Sequence, residues 1–593
     1  VVKLLTDDNE VGQWNLEGLP TDGQSTQNGI IVVNAAHMYA RFPLMIDPQG
    51  QGRAWILNHE AANGLKVVTF DTRGFKDTLE TCVQTGVPLL IEDVGNELDP
   101  ILDPVLERGV KLPGAKHYIC KIGDKEVNYA EGFRLYMTTK IANPKYSPEV
   151  CAKTALVDFT VTRSGLEDQL LGRVIRHEQE YLETKRAALL EELNTNKQLI
   201  KSLEDNLLAK LSQTEGNLVD DTELINVLRK SKTTSEEVKE KIVSSVENER
   251  IINQAREQYR PVATRGSILY FIVSEMAMVD HMYETSLAQF LNVFDESMVR
   301  AAQTQLAAQR ISNIIEELTY STFTFMTRGL FEEHKLLFLL QCALKIDLEA
   351  REIDGLEYRT FVKGGASLDP KTGKANPDPS DIPEDVWLNL RALHEIPIFH
   401  NILEQIENNV AGWKAWYNKA EPEKEVIPDG YNEMLNPFQR LLLVRCWCVD
   451  RMYFAAEPYI AKTLGEQYTA PPQLGVASAL EDSDPLTPVV CLLSIGSDPS
   501  EQIRQLSKKL YRRVPLEVSM GAGQEVVARK HIATGMASGQ WVLLQNCHLG
   551  VDFMDEVVAI LTAATEAKER ASEAYAKGSG GGDGDDDDDD DDD

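Results

Sequence analysis

The residues whose types and spacing could perform chemistry follow a short apolar run, residues 43–47. They form a glycine-rich turn before a predicted helix that starts at Arg53, and they are Pro48, Gln49, Gly50, Gln51 and Gly52. Backbone N–H groups of such a turn, together with a helix N-terminus, can bind a phosphate. A catalytic loop reads G-x-x-x-x-G-K-[ST], in which Lys contacts the β- and γ-phosphates and Ser or Thr contacts Mg²⁺. Arg53 and Ala54 follow Gly52 instead, so we predict a degenerate phosphate-binding loop (P-loop) with no catalytic residue and no bound cofactor.

Two acidic residues, Glu92 and Asp93, end a second apolar run that starts at Pro88. The corresponding strand of a P-loop ATPase, the Walker B strand, ends in Asp-Glu, where Asp binds Mg²⁺ and Glu polarises the attacking water. Here the order of the two acids is reversed and the loop lacks Lys. We therefore favour a structural role, in which the acids cap the next turn or form local ion pairs.

A second unit of the same kind is predicted to begin near residue 485. Its first strand is expected at residues 487–494, and a turn formed by Gly496, Ser497, Asp498 and Pro499 precedes a helix, again without Lys. The matching Walker B strand, residues 541–546, ends in Gln545 and Asn546. Amides do not hold Mg²⁺ as carboxylates do, and they cannot act as a base. We therefore predict no catalytic residue and no metal site here either.

The elements that must position these loops alternate in type along the first part of the chain. Near-continuous apolar segments typical of strands occur at residues 30–33, 43–47, 66–70, 88–93, 133–139 and 155–159, and residues 117–129 read as a hairpin. Such strands, separated by helices, predict an α/β fold with a parallel sheet covered by helices.

Residues 165–262 have a different periodicity. A seam of Leu and Ile, completed by Arg186 and Asn196, recurs at intervals of three and four from Leu182 to Leu207, and a less regular stripe runs from Val238 to Tyr259. This pattern predicts an antiparallel coiled coil whose tip carries the apolar pair Leu218 and Val219. Two ordinary amphipathic helices packed on a domain are the alternative.

The composition excludes several classes of protein. A formal net charge of −33 argues against binding to nucleic acid. No apolar run approaches the ~20 residues that span a bilayer. Eight scattered Cys indicate a reducing compartment, and the close pair Cys446 and Cys448 is interpreted as structural. The Asp-rich residues 578–593 are expected to be disordered.

Read together, these motifs resemble the dynein heavy chain motor, and the resemblance covers nearly all of residues 10–565. It is closest to axonemal outer-arm heavy chains of the gamma type. The segments that carry it are Gly18-Leu-Pro-Thr-Asp22, Asn28-Gly-Ile-Ile31, Pro43-Leu-Met-Ile-Asp-Pro-Gln-Gly-Gln51, Glu97-Leu-Asp-Pro100, Gly165-Leu-Glu-Asp-Gln-Leu-Leu171, Tyr259-Arg-Pro261 and Trp541-Val-Leu-Leu-Gln-Asn-Cys-His-Leu549.

The resemblance implies two degenerate P-loop AAA+ modules, a helical small subdomain and an antiparallel coiled-coil strut (buttress). The implied order is a segment arriving from the stalk (1–27), a large subdomain like that of the fifth AAA+ module (28–164), the strut (165–262), the helical small subdomain and linker (263–430), an incomplete sixth module (431–577) and an acidic disordered tail (578–593).

The resemblance also implies a function. Dyneins of this type are ATP-driven, minus-end-directed microtubule motors that bend cilia and flagella, and this part would be non-catalytic and would transmit ring movement to the microtubule-binding stalk. ATP and Mg²⁺ would bind other modules. The implied partners are the rest of the heavy chain, the microtubule, and other heavy, intermediate and light chains of the axonemal arm, with neither nucleic acid nor membrane. Alternatives are a cytoplasmic or intraflagellar dynein heavy chain, an independent AAA+ enzyme and a coiled-coil scaffold.

Overall fold

The computed structural model describes residues 5–38, 41–70, 72, 74–108, 118–123, 125–130, 132–213, 222–370, 372–469, 475–481, 483–493 and 496–578. They form two compact units, which divide the chain between Ala470 and Pro471. The predicted strut tip, Leu218 and Val219, and the Asp-rich tail after Gly578 lie outside the described residues. Within those ranges, no helix is long and apolar enough to cross a membrane.

The first unit is built on a five-stranded parallel sheet. The strands of this unit are β1 (Phe42–Ile46), β2 (Lys66–Thr69), β3 (Leu89–Glu92), β4 (Tyr118–Ile122), β5 (Lys125–Tyr129), β6 (Leu135–Thr139) and β7 (Thr154–Asp158). The order in the sheet is β2-β3-β6-β1-β7, with parallel pairing throughout. β4 and β5 form a separate antiparallel hairpin. The predicted parallel sheet is therefore confirmed, and the predicted hairpin is present.

Both faces of this sheet are buried. Leu44 and Ile91 belong to one apolar cluster, whereas Met45 and Leu90, their neighbours in sequence, belong to another. The helices of this part are α1 (Asp8–Leu16), α2 (Gly23–Met38), α3 (Gln51–His59), α4 (Phe75–Thr85), α5 (Asp103–Leu106) and α6 (Pro148–Lys153). Burial on two faces explains why the strands read as continuous apolar runs.

The strand predicted at residues 30–33 is wrong, because this run lies inside α2. Asp22 accepts a hydrogen bond from the backbone N of Ser25 (3.1 Å) and so caps a helix that contains the apolar run. Ile30 and Val32 are buried where α2 packs against β1 and β7. An apolar run of this length fits a buried helix as well as a strand, so its periodicity does not separate the two.

The rest of the first unit is helical and shares one apolar core, which runs from Val161 to Tyr468. Its helices are α7 (Arg163–Glu178), α8 (Glu180–Gln213), α9 (Thr222–Glu257), α10 (Arg260–Glu275), α11 (Leu287–Arg300), α12 (Ala307–Gly329), α13 (Glu332–Glu349), α14 (Gly355–Lys363), α15 (Glu384–His394), α16 (Ile402–Asn408), α17 (Val410–Tyr417), α18 (Tyr431–Met434), α19 (Pro437–Trp447) and α20 (Met452–Thr463).

Two predicted boundaries differ from the packing. The second unit was expected from residue 431, but Leu442 and Ile460 are buried in the core of the first unit, which therefore continues to Ala470. The strut was expected from residue 165, but α7 is a separate helix whose residues Leu170 and Val174 lie in the same core. Amphipathic helices give similar patterns whether they pack in a core or against each other, so sequence periodicity does not fix these limits.

α8 and α9 have 34 and 36 residues and pack against each other. Glu183 near the start of α8 forms an ion pair with Arg256 near the end of α9 (3.3 Å), so the two helices run antiparallel. The buried side chains toward the end of α9 and just beyond it are Val238, Ser245, Ile252, Arg256 and Tyr259. They are separated by seven, seven, four and three positions, so they lie on one face of the helix.

The second unit contains α21 (Val476–Glu481), α22 (Ser500–Tyr511), β8 (Leu516–Ser519), α23 (Glu525–Ser538), β9 (Val542–Gln545) and α24 (Val551–Gly578). β8 and β9 pair in parallel, and α23 packs against both strands. The strand predicted at residues 487–494 is wrong, since its described part, 487–493, contains no strand. Val490 and Leu492 are 77% and 63% exposed, so the apolar pattern is present but pairs with no neighbouring strand of the described residues.

Candidate functional site

The first degenerate loop lies at the carboxyl end of β1, which is flanked by β6 and β7. The backbone N of Asp47 donates to the carbonyl of Thr139 (2.9 Å), and α3 begins four residues later. Gly50 precedes α3 with φ +74°, a left-handed conformation that glycine adopts without strain. The loop thus joins an interior strand to a helix N-terminus, the position where α/β sheets bind phosphates.

The side chain of Asp47 occupies the space in front of that helix N-terminus. It is 2% exposed, and its carboxylate oxygens accept hydrogen bonds from the backbone N of Gln51 and of Arg53, both at 2.8 Å. Burial raises the pKa of Asp47, and the backbone N–H groups of residues 50–53 oppose this by stabilising the charged form. The N–H groups that could face a phosphate therefore face a carboxylate of the chain itself.

Sequence reasoning missed Asp47, although a signal was available. Aligned with G-x-x-x-x-G-K-[ST], the segment reads D-x-x-x-x-G-R-A, so Asp47 replaces the first glycine. At the second glycine, Gly52, an added Cβ would lie 3.1 Å from the ring of Phe159 and 3.3 Å from Asp47 Oδ2. The loop thus retains a glycine at residue 52, where a larger side chain would not fit. It carries an acid, Asp47, at the position where a P-loop binds phosphate.

The two acids of the degenerate Walker B strand are held by basic side chains. Arg53 Nε lies 2.6 Å from Glu92 Oε1, and Lys140 Nζ lies 2.9 Å from Asp93 Oδ1. Exposed ion pairs of this kind contribute about 0–1 kcal/mol each, so their main effect is to neutralise charge. The structure thereby brings together three sequence-predicted features: the residue at the Lys position, the Walker B acids and the end of β6.

Gln49 connects the loop to the helical part of the unit. Its Nε2 donates to the hydroxyl of Tyr270 in α10 (3.3 Å), and its Oε1 accepts from the backbone N of Val161 (3.3 Å). Tyr270 is buried, and burial raises its pKa while the bond to Gln49 lowers it. In a nucleotide-binding module the ligand lies at this type of crevice, whereas here a protein side chain bridges it.

The second degenerate loop combines an amide side chain with an exposed carboxylate. Gln545 Nε2 donates to Ser500 Oγ (3.0 Å), and Asp498 accepts a hydrogen bond from the backbone N of Ser500 (2.9 Å). Hydrogen bonds from the side chain and from the backbone N of Ser500 lower the pKa of Asp498. Asn546 donates to Ser519 Oγ (2.9 Å) and does not contact the loop through this bond. Among the residues that the structure describes, no group of three or more His, Cys, Asp or Glu could hold a metal ion.

A strand, a glycine turn and a helix at the carboxyl edge of a parallel sheet define the first unit as an α/β module of the P-loop ATPase type. The family described as "ATP-binding dynein motor region" matches residues 12–238. The family described as "Dynein heavy chain region D6 P-loop domain" matches residues 484–575.

Full-length relatives agree with these matches. "Dynein axonemal heavy chain 8" of Homo sapiens is 50% identical over 96% of this chain and 12% of the relative. "Dynein axonemal heavy chain 5" of Mus musculus is 50% identical over 94% of this chain and 12% of the relative. "Dynein gamma chain, flagellar outer arm" of Chlamydomonas reinhardtii is 44% identical over 96% and 13%. The chain belongs to the dynein heavy chain family, and it spans about an eighth of the length of these relatives.

Proposed function

We propose that this chain is a non-hydrolysing segment of an axonemal outer-arm dynein heavy chain, a minus-end-directed microtubule motor driven by ATP in cilia and flagella. In this proposal ATP and Mg²⁺ act at other modules of the motor, and this segment transmits ring movement to the stalk. Its partners are the rest of the heavy chain, the microtubule reached through the stalk, and the other chains of the arm. The similarity to an axonemal dynein heavy chain (50% identity) and to a flagellar outer-arm gamma chain (44% identity) supports this assignment.

The observation that carries the non-hydrolysing role is the Asp47 carboxylate at the N-terminus of α3. A nucleotide phosphate at this place would meet a fixed like charge. At ~4 Å and an effective dielectric of ~20, that repulsion costs about 4 kcal/mol, which weakens binding about a thousandfold. Phosphoryl transfer also needs positive charge at the γ-phosphate, and Arg53 is already paired with Glu92.

The proposal also assigns a role to each part of the chain. The sheet and the degenerate loop correspond to the large subdomain of a fifth AAA+ module, α8 and α9 to a coiled-coil strut, and the second unit to part of a sixth module. At 1.5 Å per residue each strut helix is about 50 Å long. A stiff antiparallel pair of this length can carry a displacement to a distant element, and the spacing of buried residues on α9 supports this role.

Nucleotide binding and single-turnover hydrolysis by the 593-residue chain test the proposal. We expect neither for the wild type. The variant Asp47→Gly/Arg53→Lys/Ala54→Thr, which restores the loop pattern, should bind Mg-ADP measurably in calorimetry. Its matched control, Arg53→Lys/Ala54→Thr with Asp47 retained, should not. Hydrolysis by the wild type that is abolished by changing Gly50 or Glu92 would contradict the proposal and would favour an independent AAA+ enzyme.

A further inference from the structure

The helix pair α8–α9 is separated from the helical core by two breaks that lie side by side. Gln179 has non-helical angles (φ −147°, ψ 60°) between α7 and α8, and residues 258–259 interrupt the path from α9 to α10. Burial and the Glu178 carboxylate raise the pKa of Tyr259, whereas Arg310 and the Gln179 side chain lower it. α7 packs against α10 and α8 packs against α9, so the two breaks lie next to each other. We call these two breaks, Gln179 and residues 258–259, the elbow.

Arg310 of α12 lies under the elbow and uses all its N–H donors. Its Nε and Nη2 donate to the two oxygens of Glu178 (3.0 and 2.7 Å), and Glu178 is the last residue of α7. The remaining donors reach backbone carbonyls at the end of α11, namely those of Met298 (2.8 Å), Ala301 (2.8 Å) and Ala302 (3.2 Å). Arg310 is 2% exposed, so this cation is both buried and fully satisfied.

Beyond the elbow, the ion pair between Glu183 and Arg256 joins the two helices of the pair to each other. The pair can therefore move as one body, and the Arg310 contact holds Glu178, the residue directly before its attachment at Gln179. Separating a buried, bidentate pair leaves uncompensated charges, which is strongly unfavourable. The contact therefore fixes the end of α7 next to the elbow.

We propose that Arg310 is a positioning residue that fixes the direction in which the helix pair leaves the helical core. Through this contact, movement is transmitted between the core and the helix pair. This deepens the proposed function, on which its mechanical meaning rests, but the test below needs neither ATP nor microtubules. A failure of the distance measurement leaves the hydrolysis assay unaffected, and hydrolysis by the wild type would leave the distance result unaffected.

The experiment is double electron–electron resonance on the 593-residue chain, with nitroxides at Ser244→Cys in α9 and Glu395→Cys beyond α15. Both positions are exposed, and Cys491, Cys151 and Cys547, the residues with accessible thiols, are replaced by Ser. In Arg310→Met the width of the distance distribution should increase about twofold, because the pair samples several directions. The matched control is Arg451→Met, which removes another bidentate contact to a buried acid, Glu423, away from the elbow. It should leave the width unchanged.

A folded Arg310→Met protein with the wild-type width would overturn the proposal, as would equal broadening in Arg451→Met. If Arg310→Met does not fold, Glu178→Gln serves instead. Gln keeps the size of the side chain and leaves the carbonyl contacts of Arg310 in place. It should broaden the distribution by a smaller, measurable amount, and an unchanged width in this variant also overturns the proposal.

Discussion

The two degenerate loops satisfy the free N–H groups of their helix N-termini in different ways. At the first loop, a buried carboxylate, Asp47, accepts hydrogen bonds from the helix N-terminus, and the nearby charges pair with one another. At the second loop, the Asp498 side chain is exposed to solvent and accepts a hydrogen bond from the backbone N of Ser500. The amide of Gln545 adds an uncharged hydrogen bond. In both places a helix N-terminus needs acceptors for its free N–H groups, and the chain supplies them with aspartate. The difference is burial, and burial determines how much each loop depends on its acid.

The largest effect is expected when the buried acid is removed. Asp47→Ala leaves several buried N–H groups without an acceptor, so the free energy of unfolding of the first unit should fall by about 2–3 kcal/mol. Asp47→Asn, which keeps one acceptor oxygen, should lose less. Calorimetric unfolding measures both, and Asp498→Ala provides the comparison, with a clearly smaller fall in the transition of the second unit. Equal falls at the two loops would show that burial does not distinguish them.

A medium effect is expected at the bridge between the first loop and α10. Tyr270→Phe removes the hydrogen bond between these side chains and should cost about 1 kcal/mol, whereas Gln49→Met also leaves the backbone N of Val161 without its acceptor and should cost more. The double variant should lose less than the sum, because the two changes remove one shared interaction. Additive losses in a chemical denaturation cycle would mean that the bond contributes nothing of its own.

The smallest effect is expected in the pH dependence of stability, which should have opposite signs for Asp47 and Asp498. Burial raises the pKa of Asp47 above its ordinary value of 3.8, so the part of its contribution to stability that depends on protonation is present below that value and is lost as pH rises through the higher folded pKa. Hydrogen bonds from Ser500 lower the pKa of Asp498, so its contribution is present above 3.8 and is lost as pH falls through the folded pKa. Melting temperatures of wild type, Asp47→Asn and Asp498→Asn across the acidic range should therefore diverge in opposite directions for the two units. Parallel curves would contradict this assignment.

The sequence predicts the sheet well because its strands are short apolar runs buried on both faces and bounded by turns, as around β1 and β3. It fails at residues 30–33, where the cap at Asp22 turns an equally apolar run into a helix. It fails again at residues 487–493, because a strand exists only where a neighbour pairs with its backbone.

The candidate site is predicted in outline but not in its chemistry. The glycine turn and the missing Lys are local features, and they were visible in the sequence. The contact between Gln49 and Tyr270 joins residues 221 positions apart, and that between Arg310 and Glu178 joins residues 132 apart. Periodicity carries no information about which distant side chains meet, so these contacts come only from the fold. Asp47 was within reach of a residue-by-residue alignment to the loop pattern.

The position of Asp47 affects how this loop would respond to changes in nucleotide concentration. A diffusible ligand occupies its site in proportion to its concentration, whereas a group attached to the chain keeps the same high local concentration at all times. In the proposed function, a loop filled by its own carboxylate therefore does not respond to the ratio of ATP to ADP. The catalytic modules of the proposed motor would then act on a segment whose conformation does not depend on the nucleotide supply.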